Sequence, residues 1–182
     1  MESRSRQPED MNRLGIDIGR VIIDGSSGTG DTSFFSGDTT AMLRTPAVPG
    51  AFEAITRLVR LFDGQAWLVS KCGPRVQQRS LEWLRHHRFF ELTGIAEGNV
   101  RFCLQRPQKA IHCADLGITH FVDDKPDVIA AIEGVVAYRY LFKNWASTEA
   151  QILDDLQAEG AAGVGKPFAV LGRVGDPGAD VV

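Results

Sequence analysis

The sequence predicts an α/β fold, a three-layer Rossmann-like parallel sheet of about five strands with helices on both faces and no large cap domain. Three observations predict it. Short runs rich in Ile, Leu and Val recur along the chain, most of them closing near Asp, Ser or Gly, as strands buried on both faces of a parallel sheet do. Between them lie segments with apolar residues at helical spacing, opened by Pro or closed by Gly. Strands that alternate with helices in this way need crossover connections, and these give a parallel sheet.

RLGIDIG (Arg13 to Gly19) is the first strand and delivers Asp17 to its C-terminal end. Gly25 to Asp38, dense in Gly, Ser, Thr and Asp, reads as a loop or hairpin overhanging the strand ends, with Phe34 and Phe35 packing its stem. Pro49 and Gly50 open a helix on AFEAITRLVRLF, where Phe52, Ile55, Leu58, Val59 and Phe62 share a face and Arg57 and Arg60 point outward. QAWLVS (Gln65 to Ser70) is a second strand, and Gly73 and Pro74 start a helix carrying Val76, Leu81, Trp83 and Leu84. VRFCL (Val100 to Leu104) is a third strand, followed by a short helix from Gln108 to Leu116 that Gly117 ends. THFVDD (Thr119 to Asp124) is a fourth strand closing on an acidic pair; Pro126 opens the helix bearing Val128, Ile129 and Ile132. VVAYRYLF (Val135 to Phe142) is the fifth strand, and a last helix spans Thr148 to Leu156.

A chain of 182 residues suits one domain: 1–12 as a flexible extension, 13–158 as the α/β unit, and 159–182 as a Gly-rich tail expected to be disordered. Its 20 basic and 23 acidic residues are spread along the chain, and a net charge of -3 indicates no nucleic-acid partner. Cys72, Cys103 and Cys113 form no CxxC pair, and their odd number suits reduced thiols better than a disulfide framework. Met1 to Asn12 lacks the apolar run of a secretion signal, and no later apolar run would span a bilayer, so a cytoplasmic protein without membrane contact is expected. His86 and His87 in WLRHHRFF read as a solvated helix end, while His112 and His120 lack zinc-ligand spacing with the cysteines.

Asp17, Ser70, Lys109 and the Asp123/Asp124 pair all stand at or near the ends of these elements. In an open parallel sheet, ligands bind outside the C-terminal strand edge, so residues far apart in sequence converge there. Phosphoryl transfer through a carboxylate nucleophile needs a metal and cations to offset the repulsion between two anions. Asp17 with Asp124 suits Mg²⁺, a hard ion that takes oxygen ligands. Lys109 supplies a fixed positive charge, and the Ser70 hydroxyl donates to phosphoryl oxygens. Ser70 also suits a helix cap, and Lys71 competes with Lys109 as the phosphate cation. Adjacent carboxylates at 123 and 124 repel each other unless a cation or proton relieves them.

The segments GIDIGRVIID, LVSKCG, RPQKAIHC and HFVDDKPDV resemble, in type and order, the four motifs of the haloacid dehalogenase-like superfamily, over roughly Arg13 to Phe142. The resemblance implies a hydrolase in which Asp17 is the nucleophile, Ser70 and Lys109 bind phosphate, and the Gly19 backbone carbonyl joins Asp17 and Asp124 on Mg²⁺. It places Asp123 and Asp127 beside the ion or as alternative ligands. It also implies a helical turn and flap over Arg20 to Arg44. The family's usual motif is Asp-x-Asp, whose second Asp protonates the leaving group; here that position is Gly19, which implies a slow phosphatase, with Asp24, Asp31, Asp38 or a histidine as candidate substitutes, or a phosphate- or partner-binding module without turnover. Arg20 stands where glycine or asparagine is frequent, and its guanidinium suits either clamping a phosphate or packing outward. The substrate implied is a phosphorylated small molecule or macromolecule at an open site, and a homodimer would be compatible with it.

Overall fold

The structure, a computed structural model, describes residues 11–24 and 37–164. Strands β1 (Leu14–Ile16), β2 (Ala66–Lys71), β3 (Val100–Cys103), β4 (His120–Asp123) and β5 (Tyr138–Leu141) form one sheet in the order β3-β2-β1-β4-β5. Every pairing is parallel, with Ile16 opposite Leu68 on one side and Val122 on the other. The described helices are α1 (Thr39–Leu43), α2 (Ala51–Leu61), α3 (Pro74–His86), α4 (Phe89–Thr93), α5 (Gln108–Leu116), α6 (Pro126–Ala131) and α7 (Trp145–Val164).

The chain starts at the centre of the sheet, runs outward through β2 to β3, then crosses back to β4 and on to β5. Right-handed crossovers running in opposite directions put their helices on opposite faces. Leu14, Ile16, Ala66, Leu68, Val122 and Tyr140 accordingly share a core with residues of α2, α3 and α7. Trp67, Val69 and Phe121, one residue out of step, pack with Cys113 of α5 and Val128 of α6 on the other face. Gly15 belongs to that second face: a Cβ there would lie 2.4 Å from Cδ2 of Phe121, so only glycine lets the ring cross β1.

Three elements differ from the sequence expectation. The last helix starts at Trp145 and runs to Val164, across the anticipated domain limit at 158, because Trp145 and Ile152 are buried against the first core and carry the helix beyond Thr148–Leu156 at both ends. Asn12, assigned to the N-terminal extension, donates from Nδ2 to Glu159 Oε2 at 2.7 Å, so this residue is tied to the domain. The WLRHHRFF segment is not merely a solvated helix end: Phe89 is buried and starts α4, and the His87 ring lies 4.1 Å from that of Trp83. Strand ends are also shorter than the apolar runs, with Leu104 and Val135 left exposed outside β3 and β5. Of the segment Gly25 to Asp38, residues 25–36, with Phe34 and Phe35, lie outside the described residues, as does 165–182 of the tail. Among the described residues, no helix is long and apolar enough to cross a membrane.

Candidate functional site

Strand order reverses between β1 and β4, which opens a crevice at their C-terminal ends. β1 hands over to a tight turn in which the amides of Ile22 and Ile23 both donate to the Ile18 carbonyl and Arg20 N donates to the Ile23 carbonyl. The turn needs Arg20 in the left-handed region, at φ 63°, where a residue with a Cβ is strained by about 1 kcal/mol or more. From outside, Trp145 Nε1 donates to the Val21 carbonyl at 2.8 Å and Val48 N to the Ile22 carbonyl at 2.8 Å. The backbone after Asp17 is thereby held by three parts of the chain.

A pocket of about 270 Å³ lies at this crevice, and Asp17, Gly19, Arg20, Ser70, Lys71, Lys109 and Asp124 all line it. The structure therefore brings these seven residues together at one opening, while Asp123 sits beneath the floor with no exposed surface. Lys109, itself only 2% exposed, reaches up from the first turn of α5. Its Nζ donates to Asp17 Oδ1 at 2.8 Å and to Asp123 Oδ2 at 2.5 Å. Gln108 steadies this helix start by accepting from the amides of Leu104 and Gln105 through Oε1. Below the ammonium lies the Phe121 ring, its centroid 5.8 Å from Nζ, on the course that Gly15 leaves open.

The electrostatics follow from this burial. Loss of solvent alone would lower the Lys109 pKa, but Asp17 and Asp123 more than offset it, and the ammonium is held above the ordinary lysine range. Burial and then the neighbouring charge of Asp17 push the Asp123 carboxyl up to about 6, against the pull of Lys109. Asp123 spends its other oxygen on the Lys125 amide, at 2.9 Å. Asp124 faces the pocket, its Oδ2 3.0 Å from Lys125 Nζ and 3.9 Å from an Arg20 Nη.

Oxygen atoms of Asp17, Asp123 and Asp124 lie within 4.8 Å of one another, a hard-oxygen set of the kind Mg²⁺ takes. Asp127, the alternative ligand, is not in this group and pairs with Arg106 at 2.7 Å, which holds its carboxyl below the usual range. None of the candidate substitutes for the acid missing at Gly19 lines the pocket among the described residues: neither Asp24 nor any histidine does, and Asp38 caps α1 by accepting from Ala41 N. Asp31 lies outside the described residues.

Lys125, Cys72, Ser80 and Arg106 stood outside the constellation read from the sequence, yet all four line the pocket. Lys125 carried a signal, since it follows the acidic pair in the loop before Pro126. Cys72 is no nucleophile at neutral pH, because burial pushes its thiol up to about 11. Set against known proteins, the chain matches no family model and no curated protein.

Proposed function

We propose that this chain is a Mg²⁺-dependent phosphatase of the haloacid dehalogenase-like type, working through an aspartyl-phosphate on Asp17. One observation carries the reading: a buried lysine bonded to a strand-end carboxylate that opens into a pocket also lined by Ser70, Gly19 and Asp124. Burying a charged pair is costly, and its retention beside a cleft is characteristic of a site at which charge is used.

The donor set fits magnesium, and Asp17, Asp124 and the Gly19 carbonyl would hold it, with Asp123 bonded to Lys109 and the Lys125 amide beside them. When bound, the ion offsets the repulsion between a carboxylate and a phosphate dianion. Lys109 fixes Asp17 through Oδ1, which leaves Oδ2 to attack phosphorus as the bond to the leaving oxygen breaks. The Ser70 hydroxyl donates to the transferred group, and water then cleaves the aspartyl-phosphate to free Asp17 and release phosphate. With Gly19 at the acid position, no carboxylic acid or imidazole among the described residues stands ready to protonate the leaving oxygen. Aryl and acyl phosphates, whose leaving groups depart as anions, are therefore the favoured substrates.

The test is turnover of acetyl phosphate, p-nitrophenyl phosphate and ethyl phosphate with Mg²⁺, comparing the wild type with Asp17→Asn and Gly19→Asp. The expectation is Mg²⁺-dependent release of phosphate that Asp17→Asn abolishes. A Cβ at position 19 meets nothing within 4 Å, so Gly19→Asp is accommodated and should raise turnover of alkyl phosphates, by about 10²-fold or more. Equal, background rates in all three proteins would refute the reading and favour a phosphate- or partner-binding module.

A further inference from the structure

The pocket holds more positive charge than hydrolysis of a simple phosphate ester uses. Arg20, Lys71, Arg106, Lys109 and Lys125 line it, against Asp17 and Asp124 with Asp123 beneath. Three of these cations are engaged with the site's own carboxylates: Lys109 between Asp17 and Asp123, and Lys125 and Arg20 on Asp124. Arg106 pairs with Asp127 on the exposed surface, where such a pair contributes little and exchanges readily for a ligand. Lys71, the last residue of β2 and exposed, bonds to no carboxylate among the described residues, although it stands directly after Ser70 on the pocket wall.

We propose that the pocket selects phosphorylated small molecules carrying a second anionic group, and that Lys71, with Arg106 of the same pocket lining, reads that group. This rests on the phosphatase reading for the placement of the first phosphate near Asp17 and Ser70. The strand geometry supports the division. Successive residues of a strand point to opposite faces, so the Ser70 hydroxyl and the Lys71 ammonium serve different parts of one ligand. Lys109 cannot take over the second task, because it is buried between its two carboxylates, whereas Lys71 keeps a mobile four-carbon reach. A carboxylate and a second phosphate share the required chemistry, an anion a few bonds from the ester oxygen.

The experiment is equilibrium binding to the full chain in Mg²⁺, by calorimetry, of ethyl phosphate, 4-(phosphonooxy)butanoate and ethylene glycol bisphosphate. Ethyl phosphate has no second charge; the other two carry a carboxylate and a phosphate the same number of bonds from the ester oxygen. The expected result is binding of at least one dianionic-bodied ligand about tenfold tighter than ethyl phosphate, with the preference removed by Lys71→Met and restored by Lys71→Arg. Which of the two binds tighter identifies the anion. Equal affinity for all three, or a preference that Lys71→Met leaves intact, would overturn the proposal. Affinity is read without turnover, so selective, Lys71-dependent binding with no Mg²⁺-dependent turnover of acetyl phosphate or p-nitrophenyl phosphate would refute the phosphatase and uphold the anion subsite.

Discussion

Two polar side chains are sealed from solvent at opposite ends of β4, His120 where the strand enters the sheet and Asp123 where it leaves. His120 lies among rings, stacked 4.5 Å from Tyr138 and edge-on at 5.0 Å to Phe62. Its Nδ1 meets the Thr119 hydroxyl at 2.8 Å, while its buried Nε2 has no hydrogen-bond partner among the described residues. Burial lowers its pKa despite Glu159 and Asp155, so the ring is neutral. Asp123 instead meets a buried ammonium, and a second carboxylate beyond that ammonium faces a pocket. Burial alone therefore does not mark a site. What distinguishes the exit end is opposite charge held against solvent loss beside an opening, where a ligand can exploit it.

The sharpest way to break this contrast is Lys109→Met, which strands two carboxylates together. It should cost about 3 kcal/mol or more in denaturant unfolding and remove phosphatase activity. A loss below about 1 kcal/mol would mean that the exit end is not held by charge pairing. Gly15→Ala tests the floor of the same cluster: its Cβ would stand 2.4 Å from Phe121, so a loss of about 1–3 kcal/mol is expected, with the ring displaced beneath Lys109.

At the entry end the signature is pH. His120 has a folded pKa below its ordinary 6.5, so its contribution to stability is present above about 6.5 and lost as pH falls below that value toward the folded pKa. The difference between the unfolding curves of wild type and His120→Leu should be flat above pH 7 and, below 6.5, slope by up to about 1.4 kcal/mol per pH unit. A difference independent of pH would show that the ring takes up its proton equally in the folded and unfolded states, so that burial leaves its pKa unshifted. The smallest effect is expected for Gly19→Asp, whose melting should stay within about 0.5 kcal/mol of wild type, since the added side chain enters open space at the exit end.

Much of the fold was legible because buried parallel strands write themselves as apolar runs, and Pro74 and Pro126 mark helix starts where the chain has them. α1 and α4 escaped because helices of five residues are too short to show a period, and they form through burial of Met42 and Phe89. The reach of α7 escaped because Gly160 and Gly163 read as a break, whereas packing of the preceding turns carries the helix on. At the site, Asp17, Ser70 and Asp124 were legible as polar residues closing apolar runs. That Lys109 is buried was not, since its neighbours Gln108 and Ala110 give no sign of a carboxylate on either side. The division of labour between Asp123 and Asp124 was written only in the strand's alternation, which sets Asp123 on the face of Phe121.

The bond from the Trp145 indole to the Val21 carbonyl spans 124 positions of sequence, and it has a consequence for the order of events during synthesis. β1 is made early, but its neighbour β4 and the indole that fastens its turn are made late. A nascent chain ending before residue 145 carries the Asp17 carboxylate on an unfastened turn, and contacts of such separation close slowly. The earliest-translated piece of the pocket is thus among the last to take its final shape.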